Sequence, residues 1–70
     1  MRKQAFIFIQ TKPNKSDKFY EELFAILEIT EFHPLFENCF AIRIKSKDIT
    51  KTAMEIRKLS DIISLYTLPI

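Results

Sequence analysis

Between Gln4 and Gln10 the sequence runs Ala5-Phe6-Ile7-Phe8-Ile9, and no other segment limits the fold so narrowly. β-Branched and aromatic residues bounded by polar groups make a strand. Side chains alternate across a sheet, so Ala5, Ile7 and Ile9 share one face while Phe6 and Phe8 share the other. Both faces are apolar, and both must be covered.

The rest of the chain supplies part of the cover. Thr11-Lys12-Pro13-Asn14 ends the strand, with Pro13 fixing a turn and Asn14 able to take a positive φ. Ser16 or Asn14 caps a helix that begins near Lys15, and Asp17 places a carboxylate at the positive end of its dipole. Phe19, Leu23, Ile26 and Leu27 then recur at helical spacing, with Tyr20 and Phe24 widening the stripe and Glu21, Glu22 and Glu28 outside it. Ile29 to Phe36 is again β-leaning, and Pro34 confines it to an edge strand or a bulge. Glu37-Asn38 reads as a hairpin turn, Asn38 taking the left-handed conformation. In the strand that follows, Phe40, Ile42 and Ile44 alternate with Ala41, Arg43 and Lys45. Asp48 or Thr50 caps a second helix whose apolar face is Ile49, Ala53 and Ile56, joined by Met54 and Leu59. Ser60-Asp61 closes it, and Ile62 to Leu68 forms a last strand stopped by Pro69.

Strand, helix, strand, strand, helix, strand is the split βαβ order of a ferredoxin-like α+β fold, a single domain over residues 1–70. Two helices then cover one face of a four-stranded antiparallel sheet. The other face stays open, so an isolated subunit exposes one of the two apolar sets of the first strand. An apolar patch of that kind marks an interface. The expected interface residues are Phe6, Phe8 and Phe40, pairing sheet to sheet with a second copy. Burial of two Phe side chains contributes on the order of 3–6 kcal/mol before the cost of association is subtracted.

Composition narrows the function classes. A chain of 70 residues hides only about 60% of its unfolded surface, so its core is marginal alone. With 47% apolar residues it is too hydrophobic for a disordered tail, yet no apolar run is long enough to span a bilayer. The Ala5 to Ile9 run is too short for a signal-peptide core, and the lone Cys39 fits a reducing compartment, so a cytoplasmic location is expected. Residues 1–20 carry five basic groups against one acid, residues 21–40 only five acids, and residues 41–70 six basic groups against three acids. That segmented pattern does not demand nucleic acid. A chain with no glycine holds no Gly-rich phosphate loop. His33 has no second His or acidic pair at ligand spacing, so no metal site is expected, and Cys39 has no neighbouring His to activate it. No catalytic set and no cofactor is expected.

One resemblance runs through nearly the whole chain. It is carried by Ala5-Phe6-Ile7-Phe8-Ile9-Gln10-Thr11-Lys12-Pro13-Asn14-Lys15, the amphipathic helix, Glu28-Ile29-Thr30-Glu31-Phe32-His33, Phe40-Ala41-Ile42-Arg43-Ile44-Lys45-Ser46-Lys47-Asp48 and Ile62-Ile63-Ser64-Leu65-Tyr66-Thr67-Leu68. This pattern resembles the effector-binding RAM domain of Lrp/AsnC-type transcription regulators, an ACT-like module. The resemblance implies the ferredoxin-like fold, homodimers through the sheets, rings of dimers, and amino acids or related small molecules bound between subunits. Family members usually carry a Gly-x-Tyr-Asp-like stretch at the hairpin between the second and third strands, where the ligand's backbone groups are held. Here it falls over Phe36-Glu37-Asn38-Cys39-Phe40, without Gly or Asp. The implied ligand residues are Phe36, Glu37, Asn38, Cys39, Ser60 and Asp61, with Glu37 meeting an ammonium and backbone N–H groups near Asn38 or Ser60-Asp61 meeting a carboxylate. Because the chain opens on its first strand, it is similar to stand-alone versions without a helix-turn-helix, which implies no direct DNA binding. Two further readings stay open. One is a ligand-free assembly domain pairing with full-length Lrp/AsnC regulators. The other is an RNA-binding domain of the same topology, stacking bases on sheet aromatics, although Asn38-Cys39-Phe40-Ala41-Ile42 lacks the base and glycine of the RNA-binding signature.

Overall fold

A computed structural model describes residues 2–70. Its elements are β1 (Lys3–Thr11), α1 (Asp17–Phe24), β2 (Ile29–Pro34), β3 (Cys39–Ser46), α2 (Ile49–Arg57) and β4 (Ile62–Pro69). The strands form one antiparallel sheet in the order β2-β3-β1-β4, which with the two helices is the ferredoxin-like α+β fold. The double-sided apolar strand β1 sits inside the sheet, and the Pro-containing strands β2 and β4 form its edges, where a missing N–H costs nothing to a ladder.

Alternation decides which residues go under the helices. Ala5, Ile7 and Ile9 of β1 stand opposite Ile44, Ile42 and Phe40 of β3, and all six are buried. The helices close over this row with two kinds of packing. Phe19 and Leu23 of α1 are buried against it, and Phe19, Tyr20 and Phe24 join Phe32 and Phe40 in an aromatic cluster. Within the cluster Phe24 meets Phe32 edge-on at 5.0 Å, and Phe32 lies 5.1 Å from Phe40. Such pairs add about 0.5–1.5 kcal/mol each beyond their area. On the other side α2 buries Ile56 and Thr52. Thr52 satisfies its hydroxyl at 2.7 Å from that of Ser46, and the Ser46 hydroxyl also donates to the Asp48 carbonyl at 3.0 Å. Buried polar groups are thereby paired.

The local signals act with some corrections. Asp48 caps α2 as expected, its side chain accepting the Lys51 N–H at 3.0 Å. Ser16 occupies the cap position of α1 but makes no side-chain cap bond. Helix α1 stops at Phe24, where the Ala25 N–H still bonds the Glu21 carbonyl and the Ile26 N–H tightens the last turn onto the Leu23 carbonyl, each at 3.1 Å. Ile26 still folds back onto the core, whereas Leu27, expected in the apolar stripe, is 92% exposed. Met54 is likewise exposed rather than part of the α2 face. Strand β2 ends at Pro34, two residues earlier than its composition suggests, and the ladder irregularity lies between Ile29 and Glu31 rather than at Pro34. Pro69 remains paired with Ala5 as the last residue of β4.

The hairpin turn brings a further correction. Glu37, not Asn38, takes the left-handed backbone, with φ 55°. Asn38 is committed elsewhere: its carbonyl accepts the Thr11 N–H at 2.9 Å and the Thr11 hydroxyl at 3.2 Å, and Lys15 Nζ donates to its Oδ1 at 3.4 Å. The conformational demand of a turn without glycine therefore falls on its neighbour.

Candidate functional site on the open sheet face

The side chains that alternate away from the helices define the second face. Gln4, Phe6, Phe8 and Gln10 of β1 stand opposite Lys45, Arg43, Ala41 and Cys39 of β3. On the β4 side Phe6, Phe8 and Gln10 stand opposite Leu68, Tyr66 and Ser64. Glu31 and His33 of β2 extend the face beyond Arg43 and Ala41, and Leu35 follows them through its N–H bond to the Cys39 carbonyl.

Two zones result. The first is apolar: Phe8, Tyr66, Leu68 and Leu35 are all exposed, and the Phe8 and Tyr66 rings lie 6.4 Å apart. A hollow of about 330 Å³ opens here, lined by Phe8, Gln10, Leu35, Cys39, Ser64 and Tyr66 among others. The second is polar. Arg43 donates through Nε to Gln4 Oε1 at 2.9 Å and through a terminal nitrogen to Glu31 Oε2 at 3.4 Å, and its guanidinium lies 5.5 Å from the Phe6 ring centroid. Glu31 Oε1 in turn lies 2.9 Å from His33 Nε2. The hydrogen bond with His33, then the positive charge of Arg43, holds the Glu31 carboxyl below its ordinary value despite the opposing effect of desolvation.

The expected interface residues divide between the two faces. Phe6 and Phe8 lie on the open one. Phe40 does not: it stands opposite Ile9 in the row beneath the helices, 5% exposed, at the centre of the aromatic cluster. The physical reason is its own alternation, which groups Phe40 with Ile42 and Ile44.

Of the expected ligand residues, Cys39 lines the hollow beside Phe8. Phe36 and Glu37 are exposed in the turn. Asn38 and Asp61 are brought to the same end of the sheet, because both hold the exit of β1. The Asp61 carbonyl accepts the Lys12 N–H at 2.9 Å, and its side chain lies 3.5 Å from the Ser16 N–H. Ser60 is exposed next to it. Expectation missed Gln10, Leu35, Ser64 and Tyr66 around the hollow, and the Gln4-Arg43-Glu31-His33 chain. Alternation within β4 pairs Ser64 with Tyr66 and Leu68, but only the cross-strand register puts that row beside Phe8.

Among the described residues no group of three or more His, Cys, Asp or Glu side chains is placed to hold a metal, and no helix is long and apolar enough to cross a membrane. Fold and face together define a ferredoxin-like α+β domain with one helix-covered sheet face and one apolar, uncovered face. No protein-family model matches the chain, and no curated protein matches it.

Proposed function

We propose that this chain is a RAM-like regulatory module. It pairs with a second copy through the open sheet face and takes an amino acid or related small molecule at the subunit boundary, so that ligand changes its assembly state or its affinity for a partner. The observation that carries this reading is the exposed apolar zone of Phe8, Tyr66, Leu68 and Leu35 on a sheet whose other face is already filled. A contiguous patch of this kind on so small a domain is the mark of an interface. An isologous pairing also suits the polar zone, since a two-fold axis lets Arg43 of one copy approach Glu31 of the other. The hollow that joins Cys39 to Phe8 lies where a second sheet would roof it, which gives a small molecule walls from both copies. The reading keeps the module cytoplasmic and non-enzymatic, acting through transcription regulation or metabolism.

A second reading has its own support. The Asn38 carbonyl and side-chain oxygen are already engaged by Thr11 and Lys15, and the turn offers no acid besides Glu37. A ligand-free assembly domain that pairs with full-length Lrp/AsnC regulators needs nothing more from these residues. The RNA-binding reading is weaker, because the open-face row of β3 is Cys39, Ala41, Arg43 and Lys45, without an aromatic platform.

Light scattering combined with a thermal-shift panel of the amino acids separates the readings. A dimer or larger assembly that shifts with one amino acid supports the regulatory module. The same assembly without any shift supports the ligand-free domain. A folded monomer at micromolar concentration overturns both.

A further inference from the structure

A second concavity lies on the opposite side of the molecule, where α2 leaves the edge strand β4 half-covered. Ile49, Ala53 and Met54 of α2 form one wall, and Leu65, Thr67 and Pro69 of β4 form the other. The concavity exists because this pair of elements is joined by small or short side chains. Ala53 contributes only a methyl group, and Thr67 and Pro69 are the β4 residues opposite Ile7 and Ala5, so the row that the helix should roof is low at the β4 edge. Its volume is about 530 Å³, within the range of roughly 300–1,000 Å³ of small-molecule sites.

Charge gives the groove a preference. Its ionisable lining is Lys3 and Arg57, with no carboxylate. Among the described residues neither enters an ion pair, since the pairs are Lys18 with Glu22, His33 with Glu31, and Arg43 with Glu31. Arg57 lies in the last turn of α2, where the helix dipole favours a cation, but Lys3 opens β1 and has no such local reason. The two cations mark opposite ends. Lys3 is level with Ser46 and so with the start of α2, whereas Arg57 ends that helix. Eight helical steps from Ile49 to Arg57 separate the ends by about 12 Å. The site is thus an elongated apolar trough with a positive charge at each end, and Met54 supplies a flexible, polarisable rim.

We infer that this groove binds an unbranched apolar carboxylate of medium chain length, its chain lying between α2 and β4 and its head group held by a terminal cation. A guanidinium grips both oxygens of a carboxylate, and an ammonium meets it as a point charge. The site is independent of the assembly reading. It lies on the helix side of the sheet, away from Phe8 and Tyr66, and stays accessible whether or not a second copy covers the open face.

The test is an NMR titration of the full chain with decanoate, kept below its self-association range, beside decanol as the same chain without the charge. Expected are saturable amide shifts at Ile49, Ala53, Arg57, Leu65 and Thr67, with decanol weaker by about tenfold or more, the worth of one charge-assisted hydrogen bond. The double variant Lys3→Gln with Arg57→Gln removes the charge from two exposed side chains. It should lower the thermal midpoint by a few degrees at most, since only the favourable charge of Arg57 at the helix end is lost, and weaken decanoate binding by at least the same factor. The inference is overturned if decanoate gives no saturable shift at α2 and β4, if decanol binds equally well, or if the shifts centre on Phe8 and Tyr66. None of these outcomes bears on the oligomeric state, which light scattering reads separately.

Discussion

Phe8 of β1 and Tyr66 of β4 stand opposite each other in the antiparallel ladder with ring centroids 6.4 Å apart, both on the face that no helix covers. Their partial exposure, 38% for Phe8 and 63% for Tyr66, separates what each contributes to folding from what it would contribute to the proposed assembly. A buried Phe removed from a core costs about 3–5 kcal/mol. Phe8→Ala should cost the isolated subunit clearly less than that. If the face is the interface, the same change should weaken self-association by about 2 kcal/mol or more, close to thirtyfold in dissociation constant. Sedimentation equilibrium measures the second quantity and chemical denaturation the first. An unchanged dissociation constant would remove this face from the assembly.

The two helix starts make a paired comparison. Asp48 accepts the Lys51 N–H at 3.0 Å, whereas Ser16, in an equivalent extended conformation, bonds no N–H through its side chain. Asp48→Ala should therefore destabilise by about 1 kcal/mol, which in a domain of this size lowers the thermal midpoint by about 4–8 °C. Ser16→Ala should stay within about 0.5 kcal/mol of the parent. Thermal melts of the two variants, read side by side, check the difference; equal losses would mean that the caps are not what distinguishes the two ends.

Element order and the filled face were legible in the sequence because they depend on local periodicity. Ala5, Ile7 and Ile9 repeat every second residue, Ile49, Ala53 and Ile56 repeat every turn, and Asp48 marks a start. What was not legible depends on distances across the chain. Leu27 obeys the helical period of α1, but the helix has already ended at Phe24, and a periodic pattern carries no stop signal of its own. Phe40 is aromatic like Phe6 and Phe8, yet it shares a face with Ile42 and Ile44, so residue type misled where alternation did not. The hollow needs β1, β3 and β4 in register, and the Arg43 network needs β1, β2 and β3; no single segment contains either. The Glu37 backbone was missed for the same reason, since the bonds that commit Asn38 come from Thr11 and Lys15, more than twenty residues away.

Glu37 pays for that arrangement with φ at 55°, a region that costs an L-residue roughly 1–2 kcal/mol. Glycine reaches it without a Cβ clash but loses more entropy on folding. Glu37→Gly should therefore stabilise the domain by a net of about 0.5–1 kcal/mol, and Glu37→Val, β-branched, should destabilise it. Denaturant midpoints at constant slope read both signs. The same pair probes the ligand role proposed for Glu37, since either change removes its carboxylate. If the stabilised Glu37→Gly variant kept an amino-acid response, the ammonium contact would have to come from another group.

The Glu31 carboxyl offers the last test, because its environment is set by two strands at once. His33 on its own strand and Arg43 on β3 both favour the ionised form, so it titrates below its ordinary value of 4.5. A carboxyl whose folded pKa is depressed stabilises the fold above the unfolded pKa and loses that contribution as pH falls through the folded one. The loss therefore belongs to the acid side of pH 4.5, and solvent around the exposed side chains keeps it small. Carbon-detected NMR of the Glu31 side chain should show its midpoint below 4.5, and His33→Ala should move that midpoint back toward the ordinary value, since the His33 hydrogen bond is the largest cause of the shift. Arg43→Gln should also raise it, while freeing Gln4 and uncovering the Phe6 ring that the guanidinium lies beside. Both variants leave Phe8 and Tyr66 in place. A change in self-association with Arg43→Gln would therefore assign the polar zone to the interface together with the apolar one, and an unchanged dissociation constant would confine the contact to the zone around Phe8.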